Sequence, residues 1–371
     1  MLRAPSTHAR SGYAFAATLW IASALVPMVL AAAPPDTAKA LDSTSMIVFP
    51  IAFYAPETKL GGAIAGGFYK HFPERERPSS LETQVLYTQR NQYSLSLHVS
   101  HWLEHLAGYL TLGLSMGEFP DQFYGVGNSA KAGDVERFSA RSFSAEAEAN
   151  KEIVKGLRAG GIVGWAHQTM LETDSGGMLR SGAVTGSGTW TALRAGPKVE
   201  WDTRNATYYP TTGEFVTATL GMASKIIGSD FEFGNLVLDA RKYVPVPGNG
   251  VLALQGTATA MWGDIPFPFL ARIGGSEILR GYYQGRYRDR DLACLQSEYR
   301  VHIWRRLGAA GFASAGMIAE DPGSLAEAPV RYGYGGGLRY RLNDEGINLR
   351  ADIAFAAEGD PAFYVTFGEA Y

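Results

Sequence analysis

The sequence predicts an all-β fold, a transmembrane antiparallel β-barrel of sixteen strands. Three observations carry that expectation. From Met46 to Tyr371 the chain repeats one device, runs of roughly ten residues with apolar and polar side chains alternating, each closed by a turn. Residues 1–40 have the layout of an export signal. No later segment reaches the ~18 uninterrupted apolar residues of a membrane-spanning helix.

The expected division is therefore a signal peptide over 1–40 and an outer-membrane barrel over 41–371. Arg3 and Arg10 give a basic start, Phe15 to Ala33 an apolar stretch, and Ala38-Lys39-Ala40 a small-x-small cleavage site. Cleavage after Ala31 is the alternative. Export of this kind implies a cleaved signal and a place in the bacterial outer membrane.

Sixteen runs follow, beginning near Met46, Leu60, Leu81, Gln92, Leu106, Phe138, Leu157, Thr189, Glu214, Phe231, Val251, Leu292, Leu307, Val330, Ile347 and Ala362. Successive strand residues point to opposite faces, so each run can be read for sidedness. Ile347, Leu349, Ile353 and Phe355 share one face, with Asn348, Arg350 and Asp352 on the other. Val330, Tyr332, Tyr334, Leu338 and Tyr340 oppose Arg331, Arg339 and Arg341, which are separated by Gly333, Gly335 and Gly337. Leu95, Leu97 and Val99 alternate with serines and His98, and Leu110, Leu112, Leu114 and Met116 with Thr111, Gly113 and Ser115. A soluble sandwich would press its apolar faces together, but the sequence offers no helices or fully apolar strands to build such a core.

Bacterial barrels have even strand numbers, short periplasmic turns and longer outer loops. With the C-terminus in the periplasm, the four longest connections, 117–137, 172–188, 263–291 and 319–328, all fall outside. Short links such as 343–346 and 245–249 fall inside. Met46 to Tyr54 is the weakest run.

The net charge is −3 from 33 basic and 36 acidic residues. Setting aside residues 1–40 removes Arg3, Arg10, Lys39 and Asp36, which leaves 30 against 35, or −5. Nucleic acid usually demands a concentrated basic surface, so it is not an expected partner. Cys294 stands alone, and no Cys/His spacing suggests zinc. No metal or cofactor is expected.

The longest outer loop reads Ile273-Gly274-Gly275-Ser276-Glu277-Ile278-Leu279-Arg280-Gly281-Tyr282, followed by Tyr283-Gln284-Gly285-Arg286-Tyr287-Arg288-Asp289-Arg290. Here the chain resembles the BamA/TamA family, also called the bacterial surface antigen family. Leu279-Arg280-Gly281-Tyr282 is similar to that family's arginine-glycine-aromatic loop tip. The resemblance implies a loop between strands eleven and twelve that folds back into the lumen, with five strands after it, as in this sequence. An arginine in a partly dry site needs acidic or carbonyl partners. The next run puts Gln296, Glu298, Arg300 and His302 inward and Leu295, Tyr299, Val301 and Ile303 outward, so Glu298 is the expected partner of Arg280. The family commonly adds an acid on the following strand in a Phe-x-Asp-x-Gly setting. This chain has Phe312-Ala313-Ser314-Ala315-Gly316, which weakens the anchor at Ser314 or shifts it onto Glu298 alone.

Three other stretches agree with the resemblance. Phe49-Pro50 with Pro56-Glu57-Thr58 resembles the opening of the family's barrels that lack periplasmic domains. Gly196 to Asn205, then Pro210-Thr211-Thr212-Gly213, resembles its Asp-x-Arg turn and is also sound hairpin chemistry. Phe363 to Tyr371 resembles a C-terminal assembly signal, with Phe363, Val365, Phe367 and Tyr371 expected on the lipid face and Glu369 interrupting it near the rim. About five residues separate Ala40 from the first run, so the barrel-only branch of the family is expected.

Function is then expected in the insertion or translocation of proteins, or of lipids, at the outer membrane. A seam between strands one and sixteen would open sideways for a client strand, with Gly61, Gly62, Gly66, Gly67 and Gly368 able to loosen it. Outer-membrane lipid and client outer-membrane or secreted proteins are the implied partners, and homo-oligomerisation stays open. The alternative is a passive channel or structural barrel, in which Arg331, Arg339 and Arg341 would favour anions. Catalysis is not expected. His98, His101, His105, His167 and His302 are present, but there is no Gly-x-Ser-x-Gly elbow and no Ser/His/acid grouping.

Overall fold

A computed structural model describes residues 43–71, 79–103, 107–131, 133, 135–342, 346 and 348–371. Residues 1–40, where a signal peptide is expected, lie outside them. The strands are β1 (Ser43–Ala55), β2 (Lys59–His71), β3 (Ser79–Thr88), β4 (Tyr93–Leu103), β5 (Gly108–Phe123) and β6 (Glu136–Val154). Next come β7 (Leu157–Thr173), β8 (Trp190–Asp202), β9 (Gly213–Ala223), β10 (Phe233–Val246), β11 (Gly250–Gly263), β12 (Ala271–Ile273) and β13 (Tyr287–Asp289). The chain closes with β14 (Asp291–Trp304), β15 (Leu307–Ala319), β16 (Arg331–Arg341), β17 (Asn348–Ala356) and β18 (Ala362–Phe367).

Among the described residues, sixteen of these form one closed antiparallel barrel, and β12 and β13 form a separate ribbon in the loop between β11 and β14. Each expected start falls within three residues of a wall strand. The long loops, 124–135, 174–189, 264–290 and 320–330, all leave one end, the outer end. The 117–137 connection is shorter than expected because β5 runs on to Phe123 and β6 begins at Glu136. The inner link 343–346 is described only at Gly346. The weak first run is a thirteen-residue strand paired along its whole length with β2.

Sidedness follows the alternation. Leu295 is 71% exposed on the outside of β14, while its neighbour Gln296 is buried in the lumen. Val330, Tyr332, Tyr334, Leu338 and Tyr340 are all exposed outward, and Arg331 and Arg339 are buried inside. Ile347 lies outside the described residues.

The lumen is filled rather than open. At the outer end Phe123, Phe138, Trp190 and Phe233 from the wall pack with Phe267 and Leu270 of the 264–290 loop. The 124–135 loop folds over this plug: Gly127 N–H donates to the Arg288 carbonyl at 2.8 Å, and Asn128 reaches Ile318 and Arg331. At the inner end the 203–212 link turns into the barrel. Tyr208 packs against Ile51, Ala63, Ala65 and Tyr69 of β1 and β2, and Tyr209 lies 5.8 Å from the Arg300 guanidinium.

Candidate functional site

The loop tip is built by backbone freedom. The ribbon of β12 and β13 carries the chain inward, and Gly274, Gly275 and Gly281 adopt positive φ of 105°, 96° and 113°. Glycine takes such angles without the steric cost of a Cβ. A Cβ on Gly281 would come within 2.8 Å of the Phe355 backbone, so the wall requires glycine there too. Leu279 also has positive φ, 54°, and is held by its N–H donating to Gln296 Oε1 at 2.8 Å. Its side chain is fully buried with Ile273, Tyr282, Tyr287, Leu292, Cys294 and Ile318.

Arg280 therefore points into the wall at 1% exposure. Its guanidinium donates to Glu298 Oε2 at 2.5 Å and to Asp352 Oδ2 at 2.7 Å, and lies 3.4 Å from the centre of the Phe312 ring. Burial alone would lower its pKa, but the two carboxylates more than offset that and hold it raised. The structure thus brings Arg280 and Glu298 together and adds Asp352 and Phe312. Of the two expected consequences of Ser314, a weakened anchor or one resting on Glu298 alone, the second is corrected, because Asp352 on β17 supplies a second carboxylate. Ser314 donates instead to the Gly333 carbonyl at 3.1 Å and makes no hydrogen bond to the tip.

The same carboxylates hold other charges. Glu298 Oε1 accepts from Arg300 at 2.8 Å and from Arg339 at 3.3 Å, and Asp352 Oδ1 accepts from Arg339 at 2.5 Å. Arg350 donates to the Ser276 carbonyl of the loop and to Thr366 of β18, both at 2.9 Å. Tyr364, on the lumen face of β18, accepts from Gly281 N–H at 3.3 Å and faces the Tyr282 carbonyl at 3.4 Å.

The C-terminal residues join this network, which overturns part of the expected lipid face. Phe363 and Val365 lie on the outward face, and the side chain of Phe367 lies outside the described residues. Gly368, at φ 73°, breaks the alternation and turns the chain inward. Tyr371 is 4% exposed among Tyr243, Val251 and Ala253, and its carbonyl accepts from Arg300 at 2.6 Å. Glu369 does not interrupt a lipid face. It accepts from Arg339 at 2.8 Å and from Asn348 at 2.6 Å. Loop tip and tail therefore share Arg300 and Arg339. Sequence reasoning placed Asp352, Arg350 and Arg339 on the lumen face but did not join them to Arg280, and it missed Tyr364 and Phe312 as loop contacts.

The Asp-x-Arg turn stiffens the inner link. Arg204 donates to Asp202 through Nε at 2.9 Å and Nη2 at 2.8 Å, and stacks 4.1 Å from the Phe215 ring. Gly213, at φ 98°, leaves no room for a Cβ beside the Thr203 carbonyl.

The two sides of β1 differ. It pairs with β2 from Ser43↔His71 to Ala55↔Lys59, thirteen residue pairs, and with β18 by one, Tyr54↔Val365. A ring contact between Tyr54 and Phe363, 5.9 Å apart, lies beside that single pair. Ser43 to Phe53 thus form an edge with no partner strand on that side among the described residues.

The Omp85 superfamily domain matches residues 77–371. Among solved structures, BamA from Haemophilus ducreyi lacking POTRA domains 1–3 superposes with a TM-score of 0.62 at 12% identity, over 88% of this chain and 70% of that one. CdiB from Escherichia coli gives 0.60 at 10% identity, over 86% and 62%, and CdiB from Acinetobacter baumannii 0.55 at 11%, over 88% and 59%. This chain thus spans less than two thirds of either CdiB chain. The comparison with curated proteins finds no match. At such identities the likeness speaks for the fold alone, a closed β-barrel. With the domain matched over most of its length, the chain belongs to the Omp85 superfamily.

Proposed function

We propose that this barrel assists the insertion or translocation of polypeptides at the outer membrane, with β1 as the working edge. The observation that carries the reading is the asymmetry of β1, zipped to β2 along its length and joined to β18 at one residue pair. An unpaired strand edge is a template for another chain, because its N–H and C=O groups seek partners. A client strand pairing along Ser43 to Phe53 would satisfy them in the way that strand addition does elsewhere. The role is non-enzymatic, and its partners are outer-membrane lipid and client proteins. The filled lumen and the neutralisation of Arg339 by Asp352, Glu298 and Glu369 weigh against a passive anion channel.

The test locks the seam. Tyr54→Cys with Val365→Cys, in a Cys294→Ala background, places two thiols at the one paired position. Oxidation is expected to stop client insertion into vesicles and reduction to restore it. Equal activity of locked and reduced barrels would end the reading. Outer-membrane proteomics after depletion of the protein would name the clients.

A further inference from the structure

Above the Arg280 network, the ribbon of β12 and β13 sets Arg272 directly opposite Arg288. Like charges facing each other across strands repel, and burial magnifies the repulsion. Their surroundings do not settle it. Arg288 is 2% exposed between the rings of Phe123 and Phe267. Its Nη1 reaches the Phe267 carbonyl only at 3.5 Å, and its Nε has no partner among the described residues. Arg272 makes no hydrogen bond or ion pair among the described residues. Desolvation, then the Arg288 charge, pulls its pKa down to about 10. Asp121 on β5 attracts both guanidiniums but stands beyond ion-pair distance of each.

These groups line one cavity of about 30 Å³, together with Ser142, Gln168 and Phe267. A water needs roughly 10–15 Å³ by that measure, so two or three water-sized groups fit. Gln168, 3% exposed, lines the cavity with an amide N–H₂ that has no partner among the described residues. Two guanidiniums face a single carboxyl group, Asp121, so the lining is predominantly cationic. A small anionic acceptor of about three atoms suits its size and charge.

We propose that the cavity formed by Arg272, Arg288 and Gln168 is a binding site for a carboxylate group. A carboxylate matches the fork of a guanidinium with two acceptor oxygens and would take the Gln168 amide as a further donor. Seated between Arg272 and Arg288, it would turn a repulsive cross-strand pair into a bridged one and fix the ribbon against β5 and β7. The group belongs either to a small free acid or to an acidic side chain of a polypeptide in the lumen.

The experiment titrates the full refolded barrel in detergent micelles with acetate, at constant ionic strength against chloride, and follows the thermal midpoint. Saturable stabilisation by acetate is expected. Arg272→Gln should weaken apparent affinity by roughly tenfold or more, as expected for loss of a charge-assisted fork. Gln168→Leu should weaken it by a smaller factor with no change of charge, which covers the case in which Arg272→Gln fails to fold. A second arm adds an acidic tripeptide and its amidated, uncharged counterpart. Selective stabilisation by the acidic peptide assigns the site to a polypeptide carboxylate, and a response to acetate alone assigns it to a free acid. No saturable response, or identical responses of wild type and Gln168→Leu, would overturn the proposal.

Discussion

The two flanks of β1 hold the barrel closed by different means. Towards β2 the wall is a continuous ladder of thirteen residue pairs, and towards β18 it is one pair and an aromatic contact. Inside the barrel, the β18 side of the seam is tied to the loop tip and to β16 and β17. Tyr364 reaches the loop tip, Thr366 is held by Arg350, and Glu369 by Arg339 and Asn348. A ladder spreads its strength over many equal bonds, whereas the anchoring of β18 and the tail depends on a few buried charges. Removing one of those charges should therefore matter far more to β18 than removing one wall contact.

The largest effect is expected at the shared charges. Arg280→Ala strips a partner from both Glu298 and Asp352, and breaking a buried pair in this way costs about 3–5 kcal/mol. Urea unfolding in micelles should show the loss, and an unchanged midpoint would refute the central place given to Arg280. Exchanging Arg280→Glu with Glu298→Arg should not rescue it, because the new arginine would face Arg300 and Arg339. Rescue would mean that the pair acts alone.

Next comes the glycine wall behind the tip. A Cβ on Gly333 would lie 2.3 Å from the Arg280 carbonyl, whereas one on Gly311 meets nothing within 4 Å. Gly333→Ala should cost about 1–3 kcal/mol through overpacking, and Gly311→Ala should be neutral or mildly stabilising. Equal effects would mean that the tip does not rest on the wall.

A smaller change is expected in the tail. In a Cys294→Ala background, Tyr371→Cys should react slowly with a maleimide, and Arg300→Met should speed the reaction several-fold by releasing the tail. Fast labelling without the second change would break the comparison, since the seam would then lack its inner tie.

A pH effect is also expected at the outer turn of β1. Burial raises Glu57 from its ordinary 4.5 to about 7, although Gln284 N–H donates to it at 3.2 Å. Between those values the folded barrel holds a proton that the unfolded chain releases, so stability should rise as pH falls from 8 towards 5. Glu57→Gln should flatten that slope in paired urea titrations, and an identical slope in both proteins would exclude Glu57 as its source.

The barrel itself was legible because alternation and turn chemistry are local. Leu295, Gln296 and Glu298 declare their faces within four residues, and the long loops sort to one end by counting. The site was legible only in part. Arg280 and Asp352 are 72 positions apart and meet through the barrel register, which no local pattern encodes. The expectation for Ser314 followed a motif position, whereas the charge needed only some carboxylate within reach. The tail failed for a conformational reason: period-two reading carries Tyr371 outward unless Gly368 leaves the extended region, as it does.

The lumen face of β16 shows what the inward loop demands of the chain over time. A Cβ on Gly333, Gly335 or Gly337 would collide with Arg280, Ile353 or Asp352. The nearest atoms include main-chain oxygens of Arg280, Ile353 and Ala351, which no substitution opposite can remove. Among descendants of this chain, those glycines should therefore stay glycine for as long as the loop rests on this wall, even where overall resemblance has faded.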